Sequence, residues 1–219
     1  MNEQFPQHNS HSAYSPETRS TPGDMEANQE HEPRSNPRIY VTSGLPLRAE
    51  LTTGTWLDMA RSPEDIHAEM FAVFGDDETY EADRLYIWDY HGFGAFEVTT
   101  GAIGLEGVDS IELLAQVAQG IAEHGPAYAA YASAHEDDLR RLDQFERAYQ
   151  GHYESPEAYA RELLAPLRLD DALKPLLPAS IRDFDCIDYD GIGQGLLAQD
   201  DIVVFTADDG GVWVFNESA

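Results

Sequence analysis

Carboxylates are the side chains with most chemistry to offer in this chain. It carries 41 Asp and Glu against 13 Lys and Arg, a formal charge of −28 over 219 residues. Residues 85–139 contain no Lys or Arg, and none follows Arg182. The acids recur every few residues among Leu, Val, Ile, Tyr and Trp, so folded elements must carry them. Residues 1–36 hold only 6 acids and 2 Arg, which leaves a formal −24 on residues 37–219. A surface of that sign repels nucleic acid and membranes and attracts a strongly basic partner.

Other chemistries lack their constellations. The sequence contains no G-x-S-x-G, G-x-x-x-x-G-K-[ST], H-E-x-x-H or C-x-x-C. Asp183-Phe184-Asp185, Asp188 and Asp190-Gly191 resemble a cation loop. Counted from Asp183, however, Ile187, Asp188 and Gln194 fall where an EF-hand needs an acid, Gly and Glu. Gly191, Gly193 and Gly195 give half a dinucleotide fingerprint without the strand-to-helix context. The eight His form no ligand pair on one predicted face, so no metal and no cofactor is expected. Trp56, Tyr86, Trp88, Trp213 and Phe215 read as core. So many carboxylates always permit some acid–base pair to be drawn, and a carboxylate-based enzyme stays open as an alternative. The single Cys186 allows no internal disulfide and fits a reducing compartment. No membrane-length apolar run or signal pattern appears, so the expected location is the cytoplasm.

The elements that must position these acids can be read from punctuation and periodicity. Residues 1–36 are polar, with Phe5 and Tyr14 among few residues to bury, and read as a disordered tail. Residues 38–42 and 51–59 read as strands; Ser62-Pro63-Glu64-Asp65 starts a helix that Gly75 ends. An acidic loop, 76–83, precedes a strand at 85–90. Ile111, Leu113, Leu114, Val117, Ala118 and Ile121 form a helical stripe behind Asp109-Ser110. Gly125-Pro126 breaks it before an Ala/Tyr-rich helix, 127–135, whose small residues permit close helix approach. Glu136-Asp137-Asp138 opens another helix. Aromatics then alternate, as in a strand, towards Tyr153. Ser155-Pro156-Glu157 repeats the earlier helix start, with Pro166 beyond its end, and Pro175 and Pro178 limit any helix near 173–177. Residues 202–205 and 212–215 flank Asp208-Asp209-Gly210-Gly211, a hairpin signal. The fold class is α+β: an N-terminal α+β unit (37–103), a central helical unit (104–143) and a C-terminal α+β unit (144–219).

The order of several motifs resembles one family. Pro37-Arg38-Ile39-Tyr40-Val41, Gly54-x-Trp56-Leu57-Asp58 and Asp89-Tyr90-x-Gly92-Phe93 come first. Phe145-x-x-Ala148-Tyr149-x-Gly151-x-Tyr153-x-Ser155-x-Glu157-x-Tyr159-Ala160, Ile187-Asp188-Tyr189-Asp190 and Gly210-Gly211-Val212-Trp213-Val214-Phe215 follow. Together they resemble the ArdA antirestriction family over residues 37–219. One departure stands out: the family continues its late Asp-Tyr motif helically, whereas residues 191–195 here are poor helix formers.

The resemblance implies an elongated, three-domain, non-enzymatic mimic of B-form DNA that blocks type I restriction-modification enzymes. It also implies a homodimer through the C-terminal domain, where the apolar hairpin of Val212, Val214 and Phe215 serves equally well as core or interface. Duplex DNA carries one charge per ~1.7 Å of axis, so −24 would match roughly 40 Å of duplex if all of it faced one way. Carboxylates would stand in for phosphate oxygens towards Arg and Lys. The implied partner-binding surface is Asp109, Glu112, Glu123, Glu136, Asp137, Asp138, Asp143, Glu146, Glu154, Glu157, Glu162, Asp170, Asp171, Asp183, Asp185, Asp188 and Asp190. A general acidic decoy for another basic DNA-binding protein is the alternative binding role.

Overall fold

The computed structural model describes residues 35–44, 54–75, 85–135, 138–182 and 186–216. The expected acidic loop, most of the tail and the start of the second strand lie outside them. Alternation of apolar and polar residues builds the first sheet. Its strands are β1 (Arg38–Ser43), β2 (Gly54–Asp58), β3 (Leu85–His91) and β4 (Gly101–Ala102), antiparallel in the order β2-β1-β3-β4. Ile39, Val41, Leu57 and Ile87 point to one face and are buried. Helix α1 (Pro63–Phe74) meets them with Ile66, Met70 and Phe74, spaced one helical turn apart. Ser62 caps it, accepting from the Asp65 amide at 3.1 Å, and Pro63 occupies its first turn. Each such buried side chain stabilises the fold by ~1.5–3 kcal/mol relative to exposure.

Helix α2 (Ile111–His124) is capped by Ser110, which accepts from the Leu113 amide at 3.1 Å. Gly125, at φ 76°, adopts a backbone conformation open to Gly and turns the chain sharply into α3 (Pro126–Ala134). Gly120 of α2 lies against the Tyr128 ring, where any Cβ would overlap it. This is the close approach expected from the small residues. Short helices α4 (Leu139–Leu142) and α5 (Phe145–Ala148) follow, so Phe145 opens a helical turn and not a strand. The strand, β5, spans Tyr149–Tyr153.

Beyond it come α6 (Pro156–Leu164), α7 (Leu169–Leu173), α8 (Tyr189–Ala198) and the hairpin of β6 (Ile202–Thr206) and β7 (Val212–Asn216). Turns of 3-10 helix at Ala165–Leu167, Lys174–Leu176 and Ala179–Ile181 surround the prolines. The second sheet is antiparallel, in the order β5-β7-β6. Val214 and Phe215 are fully buried, so those hairpin residues are core. Phe145 packs amid Tyr128, Tyr131, Tyr149 and Phe215, with ring centroids 5.0–5.9 Å away. Buried residues from Ile39 to Phe215 form one connected cluster; Tyr159, Ile202 and Val214 form a small second one.

One segment left open by its sequence takes a definite form, and one expectation needs correction. The glycine-rich stretch 191–195 is helical, inside α8. Asp188 caps that helix by accepting from the Gly191 amide at 2.8 Å, and Gly193 lets α8 approach the first turn of α6. Tertiary packing there outweighs propensity. The aromatic set is also not all core. Phe215 is buried, but Trp56 and Trp88 are 39% and 53% exposed.

Candidate functional site: an acidic surface

Helix α2 orders the central acids. Its positions 112, 116, 119 and 123 share one stripe, because steps of three and four residues return to the same face. Glu112 stands at the first turn and Glu123 at the last, eleven residues or ~16 Å apart. The α4–α5 segment adds two carboxylates alongside. Gln116 Nε2 donates to Asp143 at 2.8 Å, and Glu146 lies near Glu123. Glu112, Asp143, Glu123 and Glu146 therefore line one strip of exposed surface. One strand of duplex DNA places about five phosphates over that length.

Several acids are tied to local partners. Asp109 accepts from the Thr99 amide at 2.7 Å; its partial burial pushes its carboxyl up, against the lowering effect of that bond. Glu112 is held below its ordinary value by its own backbone amide and by His67, whose Nε2 lies 3.4 Å away. Asp138 caps α4, accepting from the Arg140 amide at 3.1 Å. Glu157 pairs with Arg161 at 3.1 Å, and Asp171 with Arg168 at 2.8 Å. Tyr189 donates to Asp170 at 3.1 Å. Burial, with the charge of Asp143 nearby, pushes the Tyr128 phenol up to about 12, so it stays neutral behind the strip. Glu154, Glu162 and Asp190 are exposed.

The strip thus gathers four of the expected residues, while Glu154, Glu157, Glu162, Asp170, Asp171, Asp188 and Asp190 belong to the α6–α8 region. Glu136, Asp137, Asp183 and Asp185 lie outside the described residues. Exposed Asp89, Glu97, Glu106, Asp200, Asp201 and Asp208 were not singled out by sequence. Asp58 and Asp89 sit beside the two exposed tryptophans. The alternation Trp56-Leu57-Asp58 was the available signal, since it puts Trp56 on the same face as a charge.

Glu123, His124 and Glu146 each bring one ligand atom within 4.8 Å of the others, a donor set that could hold a divalent cation. The His124 ring is set by stacking near Phe145 and Tyr128, at 4.7 and 5.8 Å. Two clefts beside Pro126 each contain one carboxylate, Asp208, and a third contains Asp138 with Arg140 and Arg141. None of these three brings two carboxylates together for acid–base work. No helix among the described residues is long and apolar enough to cross a membrane.

Compared with known families, the chain matches the family described as antirestriction protein (ArdA) over residues 39–210, more than three quarters of its length. No curated protein matches it.

Proposed function

Because the chain belongs to the ArdA antirestriction protein family, a non-enzymatic family acting against restriction systems, we propose that it works as a surrogate for duplex DNA. In this reading it occupies the DNA-binding groove of a type I restriction-modification enzyme and keeps DNA out. The strip of Glu112, Asp143, Glu123 and Glu146 carries the proposal, because its carboxylates follow a rigid helix at nearly the charge density of one DNA strand. A fixed array suits this task. Protein carboxylates release no counterion atmosphere as dense as that of DNA, so affinity must come from shape and preorganisation.

An elongated arrangement of three units, 37–103, 104–143 and 144–219, would extend the acids of α6–α8 beyond that strip. A homodimer through the C-terminal unit would double its length. Exposed Leu163, Leu167, Leu173 and Leu176 favour such an interface, since apolar side chains clustered in sequence are costly to leave in water.

The test is competition. Purified protein is added to a type I enzyme holding labelled target duplex, and release of DNA is followed at several salt concentrations. Release at near-stoichiometric protein, weakening as salt rises, is expected. Folded protein that leaves the DNA bound would rule the reading out.

A further inference from the structure

The outer face of the first sheet is an aromatic surface with an unusual local geometry. Side chains on the strands alternate, so the face opposite α1 carries Arg38 and Tyr40 of β1, Trp56 and Asp58 of β2, and Tyr86 of β3. Tyr40 pairs with Asp89 and Val41 with Ile87, so the register slips and Trp88 is the extra residue. Alternation from buried Leu85 and Ile87 puts Trp88 on this outer face, and the bulge adds Asp89 beside it, opposite Tyr40. Here Trp88 is 53% exposed and makes no ring contact among the described residues, while Trp56 is 39% exposed and 5.3 Å from Tyr40. Two tryptophans left in solvent on one sheet are poor core design and good interface material.

The face already shows what it can hold: the Arg38 guanidinium lies 4.7 Å from the Trp56 ring centroid. Aromatic faces attract guanidinium through the ring quadrupole, most strongly when water is excluded. Asp58 and Asp89 border the rings, and residues 85–139 contain no Lys or Arg to stack on Trp88. We propose that Trp56 and Trp88 form a second contact surface that receives arginine side chains from the basic surface of the restriction enzyme. This rests on the DNA-surrogate reading and adds a contact that DNA does not offer: a stacked, desolvated cation beside the carboxylate array.

The test uses the full chain in the same competition assay, with Trp56→Ala, Trp88→Ala and Trp88→Phe. Each alanine variant should compete about tenfold less well, with the salt dependence of competition unchanged because every carboxylate remains. Trp88→Phe should recover much of the loss. Alanine variants that compete like the wild type would overturn the proposal while leaving the surrogate reading intact. Wild type that fails to displace DNA would overturn both. A loss of competition accompanied by a changed oligomeric state in sedimentation would assign the face to a second copy, and so would also overturn it. If the alanine variants do not fold, 19F spectra of wild type carrying fluorotryptophan decide: the Trp56 and Trp88 signals should move when the enzyme is added, and unmoved signals would count against the proposal.

Discussion

Gly193 and Gly195 lie two residues apart in α8 and should respond to alanine with opposite signs. A Cβ on Gly193 would stand 2.8 Å from the Pro156 carbonyl oxygen, which is backbone and cannot rotate away. Separating α8 from α6 to admit it should cost ~1–3 kcal/mol. A Cβ on Gly195 would find only Gln199 Nε2, at 4.0 Å, so replacing Gly there chiefly removes its poor helix propensity. Gly195→Ala should then stabilise the fold by up to ~1 kcal/mol. Urea unfolding of the two variants beside the wild type checks the pair. Equal effects would mean that the helices are not held by this contact. The same contact explains why a run that reads as a poor helix is nonetheless helical: the sequence displays the propensity penalty but not the neighbour that compensates it.

Among elements, α2 with the α4–α5 segment matters most to the acidic strip. Glu112, Glu123, Asp143 and Glu146 are exposed, and an exposed ion pair contributes about 0.2–1 kcal/mol. Neutralising any one to Gln or Asn should weaken DNA competition by about fivefold or less. Neutralising all four should accumulate additively, to at most several hundredfold, and flatten the salt dependence. A single neutralisation that abolishes inhibition in a folded protein would point instead to a localised hot spot. Much of this element was legible beforehand. Ser110, the apolar stripe and Gly125-Pro126 set the limits of α2, as Ser62-Pro63 and Ser155-Pro156 set the starts of α1 and α6. The strip itself was not legible, because Asp143 and Glu146 reach α2 through tertiary contacts, Phe145 against His124 and Gln116 to Asp143. The outward side of Trp88 was legible from alternation with Leu85 and Ile87; what the bulge hid is Asp89, which it brings opposite Tyr40 on the same face.

For the whole molecule, the charge acts on folding and on binding with opposite signs. A formal −28 repels itself most when the chain is compact, so it opposes the core that spans Ile39 to Phe215. Among the described residues, the pairs Arg61–Glu69, Arg161–Glu157 and Arg168–Asp171 relieve part of it. Salt shortens the range of repulsion to about 10 Å at 0.1 M and 3 Å at 1 M. Raising salt should therefore lift the thermal midpoint of the free protein by several degrees, since ~1 kcal/mol moves a chain of this size by about 2–4 °C. The same salt should weaken the complex with a basic groove, because there it screens attraction. Thermal unfolding and DNA competition measured across one salt series test both halves together. A midpoint indifferent to salt would mean that the acids are spaced too widely to strain the fold. Competition indifferent to salt would mean that the charge is not what the partner recognises, and the aromatic face of the first sheet would then have to supply the affinity.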